Sequence, residues 1–80
     1  MNLEKIKEEF AQLWKMTLET EENPLDEDDF FDCGGNSYKA FFIMTNMPEE
    51  YKGMLEMEDF YDCETFGSIA CRMAERMNQE

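Results

Sequence analysis

At 80 residues the chain can bury one small core and has little room for a walled catalytic pocket, which favours a binding, carrier or regulatory module over a self-sufficient enzyme. Twenty acids against seven bases give a formal net charge of −13, making nucleic acid a poor partner and disfavouring an anionic membrane surface. The same charge suits a protein partner with a basic patch, and it is equally accounted for by the solubility of a small domain.

Residues 2–18 read as a helix. Leu3, Ile6, Phe10, Leu13 and Thr17 fall on one stripe, widened by Trp14 and Leu18, with Asn2 as an N-cap. Residues 19–36 read as a long loop, because Pro24 and a run of acids oppose regular structure. Leu25, Phe30 and Phe31 are expected to pin it to the core. The acids invite a calcium reading, which fails: counting from Asp26, Phe31 stands where an EF-hand loop needs Gly and Ser37 where it needs Glu. Residues 37–47 read as a second helix with two apolar faces. Ala40, Ile43, Met44 and Met47 form one, and Tyr38, Phe41, Phe42 and Thr45 the other. The second face is either a protein-contact surface or a side buried by neighbouring helices. Pro48 and Gly53 bracket a connection, and residues 56–62 suit a short helix. From about Thr65 a last helix buries Phe66, Ile69, Ala70, Met73 and Met77, with Asp62 as a cap and Arg72 and Arg76 suited to its C-terminal half. The expected fold is therefore all-α, a small four-helix bundle in a single domain over residues 1–80.

Cys33, Cys63 and Cys71 are an odd set without C-x-x-C spacing, so neither a disulfide framework nor a cysteine zinc site is expected, and no metal site is assigned. Reduced thiols and the lack of an apolar run near the N-terminus point to the cytoplasm. No segment approaches membrane-spanning length. Cys33 is expected to be a partly buried structural thiol.

The chain has no histidine, which removes Ser-His-Asp and Cys-His arrangements. Lys39 is close to Ser37, but residues at i and i+2 of a helix point apart. Gly34-Gly35 lacks the spacing of a phosphate-binding P-loop. Ser37 is thus better read as an acceptor than as a nucleophile acting on its own account. The glycines permit a tight turn and leave its hydroxyl uncrowded, and a helix start favours a phosphodiester. The competing reading of Ser37 is an N-cap and nothing more.

The run Asp29-Phe30-Phe31-Asp32-Cys33-Gly34-Gly35-Asn36-Ser37 resembles the D-x-F-F-x-x-G-G-x-S signature of phosphopantetheine-dependent carrier proteins. It is most similar to peptidyl (aminoacyl) carriers of non-ribosomal peptide synthesis. Leu13-Trp14-Lys15, the apolar positions after the serine, Asp59-Phe60-Tyr61 and Thr65-Phe66 with Ile69 and Ala70 extend the resemblance over most of the chain. It implies a four-helix fold and a phosphopantetheine arm on Ser37, attached by a phosphopantetheinyl transferase using coenzyme A and magnesium. The arm's thiol would hold an acyl or aminoacyl thioester, loaded by an adenylation or other enzyme and passed to condensing, tailoring or releasing enzymes. The resemblance places partner contacts on helix 2 and the loop before it, at Gly35, Asn36, Tyr38, Phe41, Phe42 and Thr45. It implies a substrate of enzymes that is not itself one, and the chain is expected to be a monomer. Departures from the pattern are Tyr38 for the usual Leu or Ile, Asn36 before the serine, Glu64 where proline is common, and Phe42 on the outer face. The acidic balance is closer to fatty-acid or polyketide acyl carriers, the paired glycines to peptidyl carriers. An unmodified carrier-like interaction module is the remaining alternative.

Overall fold

A computed structural model describes residues 3–78. Among them are four α-helices: α1 (Leu3–Leu18), α2 (Ser37–Asn46), α3 (Met57–Asp62) and α4 (Phe66–Met77). A single 3-10 turn, Glu49–Tyr51, lies between α2 and α3. The expected all-α four-helix bundle is what the chain forms; the position read as its first cap, Asn2, lies outside the described residues.

The spacing of apolar residues explains how the helices pack. Ile6, Phe10 and Trp14 recur every four residues and are all buried in α1. Ala40 and Ile43 of α2, Phe60 of α3, and Phe66, Ile69, Ala70 and Met73 of α4 close on them. The centre is aromatic. Phe10 stacks on Phe66 at 5.0 Å between ring centroids, and Trp14 meets both Phe66 and Phe30 edge-on at 5.3 and 5.4 Å. Such offset and edge-to-face pairs add roughly 0.5–1.5 kcal/mol each beyond the area they bury. The connection after α2 adds Tyr51 and Leu55 to this core, which its Pro and Gly punctuation did not announce.

The long loop is tied down by backbone more than by side chains. The Phe30 N–H donates to the Glu64 carbonyl at 2.8 Å, and the Phe66 N–H donates to the Asp28 carbonyl at 2.9 Å. These two bonds frame an isolated antiparallel bridge between Asp29 and Thr65. A third runs from the Gly67 N–H to the Asp26 carbonyl at 3.0 Å. A Cβ on Gly67 would stand 2.8 Å from that of Asp26, so only glycine lets the loop approach α4 this closely. Of the three expected pins, Phe30 is fully buried and Phe31 half-buried against Tyr61. Leu25 is not a pin: it is 58% exposed, since the bonds from Asp26 and Asp28 hold its stretch of backbone at the surface.

One further expectation is corrected and another is extended. Asp62 does not cap α4, because α3 continues through it and the chain reverses at Cys63 and Glu64, the latter with a positive φ of 68°. Thr65 is the cap, its Oγ1 accepting from the Ser68 N–H at 3.3 Å. Arg76 does more than face the C-terminal dipole of α4. It reaches across to Asp59 of α3, which is fully buried.

Candidate functional site

The loop before α2 is a chain of local devices that ends at Ser37. Asp29 starts it: Oδ1 accepts from the N–H groups of Phe31 at 2.8 Å and Asp32 at 3.1 Å. One helical turn follows and is closed at Gly34, whose φ of +105° is a conformation that suits glycine. The closing bonds run from the Gly34 N–H to the Phe31 carbonyl at 3.2 Å and from the Gly35 N–H to the Phe30 carbonyl at 3.0 Å. This is the double-bond pattern that ends many helices. The two glycines therefore do different things. Gly34 supplies the turn. Gly35 is half-buried with the ring of Phe30 directly against it, and a Cβ there would overlap that ring.

Asn36 is extended (φ −153°, ψ 179°) and caps α2, with Oδ1 accepting from the Lys39 N–H at 2.8 Å. Its carbonyl accepts from the Ala40 N–H at 2.9 Å. Ser37 is thus the first residue of the helix rather than its cap. Its side chain is exposed and its hydroxyl has no hydrogen-bond partner among the described residues.

The surroundings of Ser37 suit an anion. The first turn of α2 contains no acid. Two of the four N–H groups that a helix start leaves without an intrahelical partner are those of Ser37 and Tyr38, at its exposed end. Lys39 is the one base between Glu19 and Asn46, and its Nζ donates to the Gly34 carbonyl at 3.2 Å, over the turn that leads into Ser37. A phosphodiester on Ser37 would meet a helix start, with no acid in its first turn, although the chain as a whole is strongly acidic. The residues present fit a phosphate-linked group.

Beyond Ser37, Tyr38, Phe41 and Phe42 are 84%, 56% and 42% exposed. The outer face of α2 is open to solvent and not covered by the other helices. Thr45 is exposed too, but its hydroxyl turns back to the Phe42 carbonyl at 3.2 Å. Cys33 is exposed rather than partly buried, because the turn that Gly34 closes faces it outward. Its thiol is nonetheless pushed up, first by desolvation and then by Asp28, Asp32 and Asp29. The loop's acids do not gather: among the described residues no three His, Cys, Asp or Glu side chains converge as cation ligands.

What sequence reasoning missed is a buried ion pair between α3 and α4. Asp59 Oδ1 accepts from Arg76 at 2.8 Å and Oδ2 accepts from the same guanidinium. The Glu56 N–H donates to Oδ2 at 2.9 Å, and Arg72 stands 3.5 Å from Oδ1. Burial pushes the Asp59 carboxyl up, but the Arg76 bonds, the Glu56 N–H and the Arg72 charge together hold it below the ordinary carboxylate range. The only sequence signal was an aspartate in a short apolar helix with two arginines spaced one turn apart in the next.

Comparison with known families now fixes the class. Residues 4–72 match the family described as "Phosphopantetheine attachment site". The chain belongs to this family, whose members are non-catalytic carriers that bear a phosphopantetheine group covalently on a serine and work with a phosphopantetheinyl transferase and partner enzymes. No curated protein and no solved structure matches the chain. Among the described residues no helix is long and apolar enough to cross a membrane.

Proposed function

We propose that Ser37 is the serine that carries the arm, and that the chain is an aminoacyl or peptidyl carrier working in the cytoplasm as a single domain. The observation that carries the first part is the division of roles at the start of α2. Asn36 makes the cap, so the Ser37 hydroxyl is exposed, unbonded and free to be modified. The Gly34-Gly35 pair before it supports the peptidyl type. Asn36, Tyr38, Phe41, Phe42 and Thr45 form the surface partner enzymes meet, and Gly35 contributes by fixing the loop against Phe30. The transferase brings the base and the magnesium for the modification.

Incubation with coenzyme A, magnesium and a promiscuous transferase, followed by intact mass, tests the assignment. The wild type is expected to gain one phosphopantetheine and Ser37→Ala none. A gain retained by Ser37→Ala would move the site elsewhere, and no gain with several transferases would leave an unmodified interaction module. Transfer of an amino acid from an adenylation enzyme supports the peptidyl type; transfer of an acyl group alone supports a fatty-acid or polyketide carrier, the type to which the acidic balance is closer.

A further inference from the structure

We propose that Lys39 is a positioning residue for the modification of Ser37: its side chain locks the joint between the loop turn and α2, where the serine sits. The proposal rests on the reading of Ser37 as the attachment serine. Two rigid pieces meet at this joint. On one side, the turn is closed by the Gly34 and Gly35 N–H groups and seated in the core by Phe30. On the other, α2 is capped by Asn36 and seated by Ala40 and Ile43. The pieces are joined through Gly34 and Gly35, and glycine restrains the backbone least of all residues. Among the described residues one hydrogen bond crosses from the turn to the helix, and it runs from Lys39 Nζ to the Gly34 carbonyl at 3.2 Å. The backbone N–H of the same residue donates to Asn36 Oδ1 at 2.8 Å. Ser37 therefore lies on a stretch, 34–39, that Lys39 closes on itself.

The partner of this ammonium is unusual in so acidic a chain. Twenty acids are available, yet among the described residues Lys39 makes no ion pair, whereas Lys5, Lys7, Arg72 and Arg76 each have one. Lys39 is half-buried and lines a shallow groove with Met16 and Thr17 of α1, so its stem lies along that helix end and its head is directed to the turn. The chemistry at Ser37 makes a fixed joint matter. The serine oxygen bonds to the phosphorus that carries the pantetheine half of coenzyme A, the phosphoanhydride bond breaks so that adenosine bisphosphate leaves, and the serine proton passes to the transferase's base. Lys39 takes no proton in this step: an ammonium only donates, and it touches the chain at Gly34 and not at the serine. Displacement at phosphorus is in line, and a misplacement of about 1 Å can cost about 100-fold in rate. Loosening the joint leaves Tyr38, Phe41 and Phe42 exposed to the transferase as before, so the loss falls on kcat rather than KM.

The test is a time course of intact mass with coenzyme A, magnesium and a transferase, with the concentration of this protein varied to separate kcat from KM. Lys39→Met keeps most of the apolar stem and removes the donor. It is expected to lower kcat about tenfold, to leave KM within about twofold and to melt within about 4 °C of the wild type. Lys39→Arg can still donate to the Gly34 carbonyl and should recover most of kcat. The loss should persist when salt is raised from about 0.05 to about 0.3 M, because long-range charge is not its cause. Wild-type kinetics in Lys39→Met overturn the proposal, as does Lys39→Arg no faster than Lys39→Met. A change confined to KM that salt abolishes also overturns it and assigns Lys39 to attraction of the transferase. A loss of kcat that tracks a fall in melting temperature overturns it and assigns Lys39 to the fold. In each case the mass gain of the wild type keeps the reading of Ser37 standing. A wild type that gains no phosphopantetheine overturns that reading and the proposal together.

Discussion

Two neighbouring residues at the start of α2 divide one job. A serine placed as the N-cap would spend its hydroxyl on a backbone N–H; Asn36 takes that role, and Ser37 keeps its oxygen in solvent. The stability of the helix start should therefore depend on Asn36 and not on Ser37. Asn36→Ala is expected to lose about 1 kcal/mol, which lowers the melting temperature of a domain this size by roughly 4–8 °C. Asn36→Asp keeps the capping oxygen and should restore most of it. Ser37→Ala should melt with the wild type. Thermal unfolding followed by far-ultraviolet circular dichroism measures all three, and an unchanged Asn36→Ala would mean that the cap is not what holds this turn. The positions of these residues were legible in the sequence, but their roles were only half so. The apolar run after Ser37 marks a helix that starts there, yet a loop-to-helix serine reads as well for a cap as for an acceptor. The separate tasks of Gly34 and Gly35 were not legible either, because the ring of Phe30 that makes Gly35 necessary lies five residues back and is brought there by the turn itself.

The helices differ in how they are held, and α3 is the weakest on its own terms. Six residues are too few for a stable isolated helix. It is fixed by Phe60 in the aromatic core and by Asp59, whose carboxylate pairs with Arg76 of α4. Asp59→Asn leaves a mostly buried guanidinium without its counter-charge, and about 3–5 kcal/mol is expected to be lost. Asp59 also predicts the pH dependence. Its folded-state pKa is lowered, so its contribution is complete above the unfolded carboxylate value of about 3.9 and disappears as pH falls through the lower folded value. Arg76 is raised, first by its bond to Asp59, and stays charged across this range. Urea unfolding below about pH 4 should accordingly show a steeper fall in stability for the wild type than for Asp59→Asn. Parallel slopes would place the acid sensitivity in other carboxylates. α1 and α4 could be read from their apolar stripes, because period determines which face is buried, whereas α2 is apolar on two faces and its exposed one was settled only by the fold. The Asp59 pair could not be read, since nothing local distinguishes a buried aspartate from a capping one when its partner is 17 residues away.

Taken whole, the molecule is a small aromatic core wrapped in one sign of charge, and the long loop concentrates that charge. Between Glu19 and Asn36 there are eight acids and no base. The acids argued correctly against regular structure there, but not against order: the loop is anchored by bonds to Glu64, Phe66 and Gly67, partners that only the folded topology supplies. Two electrostatic effects compete in this shell. Repulsion among the acids opposes the compact state, and surface pairs such as Lys7–Asp26 at 2.9 Å and Lys5–Glu50 at 3.4 Å favour it. Exposed pairs contribute about 0–1 kcal/mol each, and seven bases cannot offset twenty acids, so repulsion should prevail. Screening then stabilises. Raising the salt from 0.01 to 0.15 M shortens the Debye length from about 30 to about 8 Å, less than half of the 21 Å width of the molecule. A net gain of roughly 1 kcal/mol, or about 4–8 °C in melting temperature, is expected over that range. A melting temperature that falls with salt would show that the ion pairs outweigh the repulsion. The same screening should weaken capture by a basic partner enzyme, so stability and docking are expected to move in opposite directions along one salt series.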